Sequence, residues 1–156
     1  MKDSLSHYRA DSARYRLYGC AMTRSMNFIS VRIITDDVPA LVRFYEELTG
    51  LDARWAAPEF AEIVTDGCTL AIGSTRTMQL FGPDIARAAA NRTAILEFIV
   101  EDVDREFERV GNLGEVVQQP TTMPWGNRSL LLRDPDGNLV NLFTPQTAEA
   151  AARFTR

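Results

Sequence analysis

The 156-residue chain contains one histidine and one lysine, His7 and Lys2, and both lie in its first 26 residues. The remaining residues therefore offer neither an imidazole base nor an amine nucleophile, which excludes most general-base and covalent mechanisms from them. Cysteine is also sparse: Cys20 and Cys68 favour a reducing, cytoplasmic location. Because no histidine lies nearby to activate Cys68, we interpret it as a small core residue. The composition predicts no catalytic residue and no cofactor.

Long apolar runs are absent too, so the sequence predicts no membrane-spanning segment and no membrane partner. Residues 1–26 carry a net charge of +3 and lack the apolar stretch of a signal peptide, and we expect a basic, poorly ordered arm there. Because the whole chain carries −4, the rest carries −7. That charge argues against nucleic-acid binding and favours cationic or neutral ligands.

An internal repeat organises the rest of the chain. The sequence ITDDV at 34–38 recurs as IVEDV at 99–103. Each copy follows an alternating apolar run, typical of a strand, and places an aspartate, Asp37 or Asp102, at the N-cap of an amphipathic segment. Those segments end at Gly50 and Gly111, and we expect Gly50 to close its helix in the left-handed conformation. The repeat predicts two equivalent modules.

Three short strands are predicted after each helix, separated by turn residues. They cover 51–56, 59–65 and 68–73 in the first copy and 114–118, 127–133 and 138–143 in the second. The predicted fold is α+β, with two βαβββ modules forming an open, cup-shaped sheet. Module one spans 27–74, a linker with a helical stretch at 84–90 spans 75–92, and module two spans 93–145. Residues 146–156 are predicted to form a short C-terminal helix.

These features resemble the vicinal oxygen chelate superfamily of glyoxalases, bleomycin resistance proteins and dioxygenases. The resemblance covers residues 27–145 and rests on the two modules, on the helix sequence RFYEELTGL at 43–51 and on DPDGN at 134–138. It implies a paired-module fold, a homodimer and a small-molecule ligand. Whether the modules pair within one chain or between two chains stays open at this point.

The resemblance also implies where a divalent metal would bind in enzymes of this superfamily. The four positions are Ser30, Ala71, Ile95 and Asn141. Metal sites require imidazole, thiolate or carboxylate donors, and this set supplies one hydroxyl, one amide and two aliphatic side chains. We therefore expect no metal.

A ligand-binding surface is predicted on the strand faces opposite the helices. Phe28, Ser30, Arg32 and Ile34 should line one face, with Ile29, Val31 and Ile33 under the helix. In module two, Thr93, Ile95, Glu97 and Ile99 are expected on the corresponding face. The candidate ligand-binding residues are Ser30, Arg32, Trp55, Phe60, Glu62, Glu97, Trp125, Arg128, Asn141 and Phe143. Arg32 and Glu97 occupy equivalent places and carry opposite charges, so they would form either an ion pair between modules or a polar clamp on a ligand.

Three functions are compatible with this sequence. The first is a metal-free protein of the bleomycin resistance type that sequesters a bulky aromatic or cationic molecule in a groove between modules, which would confer antibiotic resistance. The second is a glyoxalase- or dioxygenase-type lyase, isomerase or oxygenase whose metal is held by atypical donors such as Glu62, Gln79 and Glu97. The third is a non-catalytic module that recognises a metabolite or a protein.

Overall fold

The computed structural model describes residues 26–155 of the chain. All but the last residue of the basic arm predicted at 1–26 lies outside the described residues. In the described part, no helix combines the length and the apolar character that crossing a membrane requires.

The described residues form two successive βαβββ modules. The elements are β1 (Ser30–Thr35), α1 (Val38–Thr49), β2 (Arg54–Ala57), β3 (Phe60–Val64), β4 (Thr69–Ser74), α2 (Thr75–Met78), β5 (Ile95–Ile99), α3 (Val103–Val110), β6 (Glu115–Thr122), β7 (Asn127–Arg133), β8 (Leu139–Pro145) and α4 (Ala148–Ala152). Each module has one four-stranded sheet, ordered β1-β4-β3-β2 or β5-β8-β7-β6. The first and last strands of each module pair in parallel, and the other pairs are antiparallel. The predicted α+β fold with two modules is confirmed.

The two helices of the repeat begin at the predicted aspartates. The Asp37 carboxylate accepts a hydrogen bond from the backbone N–H of Ala40, and the Asp102 carboxylate accepts from two backbone N–H groups of its own first turn. Gly50 has φ = 70° and closes α1 in the left-handed conformation, as predicted. Gly111 has φ = −60°, so α3 ends without a left-handed residue.

Both helices lie between the two sheets, and the modules share one apolar core. Six side chains of α1 are buried, and the core cluster combines them with buried residues of β3, β4, α3, β7 and β8. Tyr45 of α1 lies 6.5 Å from the Phe98 ring of β5, between ring centroids. Burial of this shared layer is the main stabilising term of the fold.

Polar contacts also join the modules across this layer. The Tyr45 hydroxyl donates to Asp134 Oδ2, and the Arg109 guanidinium of α3 donates to the carbonyls of Glu47 and Leu48 at the end of α1. Those carbonyls have no partner within the helix, and a cation there also complements the helix dipole. The modules are therefore joined by apolar packing and by directed hydrogen bonds.

Three local predictions require correction. Residues 84–90 form turns and no helix, because Asp84 and Ala89 have φ values of 55° and 53°, which a right-handed helix cannot contain. Ile29 precedes β1 and is exposed, so it does not pack under α1. Strand β6 continues to Thr122, beyond the predicted end at 118, and accommodates Pro120 because it is an edge strand with irregular pairing.

Candidate functional site

Each sheet has one face turned away from the helices, and we call these open face one and open face two. Paired residues on neighbouring strands share a face, so the register assigns every side chain to one side or the other. Open face one is formed by Ser30, Arg32, Ile34, Phe60 and Glu62, and open face two by Ile95, Glu97, Ile99, Asn141 and Phe143. Because the helices lie between the sheets, the two open faces point away from each other.

On open face one, a cation lies against an aromatic ring. The Arg32 guanidinium carbon is 5.0 Å from the centroid of the Phe60 ring. Arg32 pairs with Ala71 on β4, and Ala71 pairs in turn with Glu62 on β3. The small side chain of Ala71 thus separates one cationic and one anionic group. Three predicted site residues, Arg32, Phe60 and Glu62, lie on one surface.

On open face two, an amide and a carboxylate are joined. Asn141 Nδ2 donates to Glu97 Oε1 at 2.8 Å. Since a carboxylate can only accept, this bond fixes the amide orientation and leaves Asn141 Oδ1 as a free acceptor. Asn141 Oδ1 is buried and has no hydrogen-bond partner in the described part of the chain. Open face two therefore carries an acceptor without a partner, next to the Glu97 carboxylate.

Phe143 lies on the same face, in register with Ile99 on β5. Its ring is only 4% exposed, whereas Ile99 is 55% exposed. Strand β8 lies inside the sheet whereas β5 is at its edge, and Phe154, beyond α4, packs on Phe143 with ring centroids 5.0 Å apart. The predicted aromatic residue is therefore present on open face two but covered.

The predicted ion pair between Arg32 and Glu97 is not formed in the described chain. The four ion pairs between residues 26 and 155 involve other side chains. Arg32 packs on Phe60, and Glu97 bonds Asn141. The physical reason is the placement of the helices, which directs the two open faces to opposite sides of the molecule.

Three predicted site residues lie off the open faces. Trp55 pairs with Ala61, whose side chain is in the core, so Trp55 belongs to the helix side of its sheet, at the exposed edge. Arg128 also points to the helix side and forms an ion pair with Asp104 of α3, with N–O distances of 2.6 and 2.7 Å. Trp125 lies in the turn between β6 and β7 and is exposed. Within one chain, the two tryptophans therefore lie apart from the side chains of the open faces.

The pair of Asp104 and Arg128 was not predicted as a contact. Its hydrogen bonds lower the pKa of the Asp104 carboxyl and raise the pKa of the Arg128 guanidinium. Asp104 lies in the first turn of α3, where its negative charge also complements the helix dipole. Arg128 is thus engaged in a structural contact.

The positions that the superfamily uses for a metal do not fit one here. Ser30 and Ile95 lie on the first strand of each module, and Ala71 and Asn141 on the last. Of these, only Ser30 and Asn141 have polar side chains, a hydroxyl and an amide, and the Asn141 nitrogen bonds Glu97. No group of three or more acidic, cysteine or histidine side chains able to hold a metal is found within 26–155. Glu62 and Glu97, considered as atypical donors, lie on opposite faces of the chain.

Phe154 and Arg153 are contact residues that the sequence reasoning missed. They follow the alanine-rich helix α4, and the Arg153 guanidinium carbon lies 5.7 Å from the Phe154 ring centroid. An aromatic residue directly after a short helix was the available signal. It did not indicate which strand the ring would contact.

Comparison with known proteins supports this architecture. The family described as the Glyoxalase/Bleomycin resistance protein/Dioxygenase superfamily matches residues 27–142. The chain is 26% identical over 125 residues to the uncharacterized protein YraH of Bacillus subtilis (strain 168), covering 76% of this chain and 98% of YraH.

Solved structures with the same fold include a glyoxalase/bleomycin resistance protein/dioxygenase from Nocardioides, with a TM-score of 0.67 and 21% identity, covering 81% of this chain and 87% of that one. A glyoxalase/bleomycin resistance protein/dioxygenase family enzyme from Burkholderia phytofirmans PsJN has a TM-score of 0.68 and 19% identity. The match covers 74% of this chain and 96% of the Burkholderia chain. At these identities the likeness shows the fold alone.

Proposed function

Because the chain belongs to the glyoxalase/bleomycin resistance protein/dioxygenase superfamily, we propose that it is a metal-free protein that binds and sequesters a bulky aromatic or cationic small molecule. The observation that carries this proposal is the donor set at the superfamily's metal positions. Ser30, Ala71, Ile95 and Asn141 do not supply the imidazole, thiolate or carboxylate groups that a divalent ion requires.

The Asn141 contact strengthens this argument. A metal at this position would need the amide oxygen together with charged donors from neighbouring strands. The nearest carboxylate, Glu97, already accepts from the same amide. This pair is better suited to receive N–H groups of an organic ligand, because both Asn141 Oδ1 and the Glu97 carboxylate are acceptors.

A closed ligand groove requires a second copy of the chain under this proposal. The two open faces point in opposite directions, and Ile95 and Ile99 on open face two are 48% and 55% exposed. Exposed apolar side chains on a sheet face are typical of a surface that another protein covers. We therefore propose a homodimer in which open face one of one copy lies opposite open face two of the other.

Charge complementarity supports this pairing. Arg32 and Glu97 occupy equivalent positions, each five residues before the capping aspartate of its module. Neither forms an ion pair within 26–155. In the proposed dimer, Arg32 of one copy would face Glu97 of the other twice over, once in each groove.

The ligand class follows from the groups that would line such a groove. Phe60 supplies flat apolar surface, Phe143 would add a second ring once Phe154 no longer covers it, and Glu62, Glu97 and Asn141 supply acceptors. The net charge of −7 on the residues after the arm favours cations over anions. A location in the cytoplasm, proposed from the sparse cysteines, agrees with Cys68, which forms no disulfide with another residue of 26–155.

Native mass spectrometry of the purified full-length chain tests the metal and dimer parts together. We expect a mass of two chains without a divalent ion after exchange into volatile buffer. One tightly held divalent ion per groove would contradict the proposal and identify a metalloenzyme. A monomer at micromolar concentration would contradict the two-copy groove.

A titration tests the ligand class. Proflavine, a planar aromatic cation, is added to the protein, and tryptophan fluorescence is followed; 1-naphthoate, a planar aromatic anion, is the matched control. We expect saturable quenching by proflavine at one site per groove and weaker binding of 1-naphthoate. Equal binding of both probes, or of neither, would contradict the assigned ligand class.

A further inference from the structure

The C-terminal segment, residues 147–155, covers one place on open face two. Phe143 belongs to this face by register, yet it is only 4% exposed, and the Phe154 ring lies against it with ring centroids 5.0 Å apart. Phe154 itself is 42% exposed. The segment thus places one of its own aromatic rings on a surface that the proposed function assigns to a ligand.

The covering residues also have the chemical character of the proposed ligand. The Arg153 guanidinium lies over the Phe154 ring, 5.7 Å from its centroid, and the Phe154 ring lies over Phe143. The Phe154 ring thus carries a cation on one side and leans on an aromatic residue of the sheet, with an angle of 49° between the two ring planes. A planar aromatic cation would make the same contacts.

The segment is held lightly enough to move. Helix α4 has five residues, of which only Ala150 is buried, and so short a helix has little stability of its own. Its base is anchored, since Gln146 N–H donates to the Gly126 carbonyl and Thr147 caps the helix. Beyond α4, the Phe154 ring contacts Phe143 of the sheet at a tilt of 49°.

A polar group beside this place still needs a partner. Asn141 is two residues before Phe143 on the same face, and its Oδ1 is buried without a hydrogen-bond donor in the described structure. The adjacent Glu97 carboxylate is on an exposed residue. A ligand could place a ring on Phe143 and an N–H group toward Asn141 and Glu97. The C-terminal segment supplies the ring on Phe143 but no donor to the Asn141 oxygen.

We propose that Phe154, with Arg153, is an internal pseudo-ligand that occupies the ring subsite on Phe143, and that a planar aromatic cation binds by displacing it. This inference rests on the proposed function and deepens it by naming the ligand class and the element that regulates access. The closed segment lowers the apparent affinity, because only the fraction of molecules with the ring lifted is competent to bind.

The test compares proflavine binding to the full-length wild type and to F154A. Removing an aromatic contact of this kind should raise the apparent affinity by about three- to tenfold. F81A is the matched control, because Phe81 is an exposed phenylalanine of the linker outside both open faces. E97Q should lower the affinity in both the wild-type and F154A backgrounds. Amide hydrogen exchange of residues 148–155 should accelerate when proflavine binds.

The outcomes separate the two proposals. Tighter binding to F154A with F81A unchanged supports the pseudo-ligand. If the wild type binds proflavine and F154A binds it equally or more weakly, the pseudo-ligand is wrong and the binding function stands. If neither protein binds proflavine, the ligand class fails and both proposals fall. Slower or unchanged exchange of 148–155 in the complex would also overturn displacement.

Discussion

The Tyr45 hydroxyl donates a 2.8 Å hydrogen bond to Asp134 Oδ2, which joins the first helix of module one to the last turn of module two. The same carboxylate accepts from the backbone N–H groups of Asp136 and Asn138 and from Asn138 Nδ2. One acid therefore orders its own turn and fixes the neighbouring module. Burial raises the pKa of Tyr45 above its usual value, and the negative charge of Asp134 raises it further. The hydroxyl therefore remains a donor throughout the neutral range.

The Y45F variant should unfold more easily than the wild type. It retains the ring and its packing against Phe98 but removes one hydrogen bond to the Asp134 carboxylate, and a hydrogen bond to a charged group contributes about 1.5–3 kcal/mol. Urea denaturation followed by circular dichroism measures the difference. D134N should destabilise the fold more. Its NH2 group would replace one carboxylate oxygen and would face the N–H groups of Asp136 and Asn138, which need an acceptor. An unchanged urea midpoint for Y45F would show that this hydrogen bond does not contribute to the free energy of unfolding.

Asp136 should make stability depend on pH in the acidic range. Burial, together with the nearby carboxylates of Asp134, Asp36 and Asp37, raises its pKa, against the opposing effect of Thr35. A raised folded pKa means that the folded state binds the proton more tightly than the unfolded state does. This contribution to stability is present below the unfolded pKa and is lost as pH rises through the folded pKa.

D136N should consequently be more stable than the wild type at pH 7, and the advantage should vanish as the pH falls below about 4, the usual pKa of an aspartate. Thermal unfolding across pH 3–8 provides the measurement. D66N, in an exposed turn of module one, serves as the control. An advantage of D136N that is constant with pH would show that the charge of Asp136 has no part in it.

Arg109 should contribute more to stability than its partly exposed side chain indicates. Its guanidinium donates to the last carbonyls of α1, at 2.7 Å from each oxygen, and so connects the two helices. R109A should lower the free energy of unfolding by about 1 kcal/mol or more. R105A, on the same helix, is the matched control because Arg105 makes no side-chain hydrogen bond among residues 26–155. Equal effects of the two substitutions would contradict this role.

Trp125 and Trp55 should differ in their effect on ligand binding. Trp125 lies in the turn beside the C-terminal segment, where the Gly126 carbonyl accepts a hydrogen bond from the backbone N–H of Gln146. If Trp125 anchors the ligand, W125A should weaken proflavine binding by about 2 kcal/mol with the fold intact. W55F should leave it unchanged, because Trp55 lies on the helix side of its sheet. Unaltered affinity of W125A, measured by isothermal titration calorimetry, would remove Trp125 from the site.

Charge reversal tests the proposed contact between copies. Either R32E or E97R alone should weaken the dimer, because like charges would then face each other across both grooves. The double variant R32E/E97R should restore dimerisation, as measured by analytical ultracentrifugation. E108R, an exposed reversal on α3, is the control for net charge. Additive weakening in the double variant would rule out a direct pair between copies.

Periodicity and caps predicted most of the fold. Asp37, Asp102 and Gly50 are local signals, because each satisfies backbone groups within one turn, and the structure confirms them. The alternation of β1 and β5 also assigned Arg32 and Glu97 to the faces opposite the helices. Such features depend on neighbouring residues and can be read from a single sequence.

The site was less predictable, since its contacts depend on how the modules pack. Trp55 is placed on the helix side of its sheet by its pairing with Ala61. Arg128 is held in an ion pair by Asp104, which lies on a different element. The alanine-rich stretch at 84–90 has high helix propensity, but positive φ angles at Asp84 and Ala89 override it. Whether the open faces point toward or away from each other cannot be inferred from strand periodicity.

The packing of both helices between the sheets gives the linker a minor mechanical role. Residues 79–94 contain no helix or strand, whereas the helix layer joins the modules through a shared apolar core and the bonds of Tyr45 and Arg109. A chain cleaved in this linker should stay associated as two complementary halves and melt in a single transition. The same property makes the linker the natural position for new termini in a circularly permuted protein.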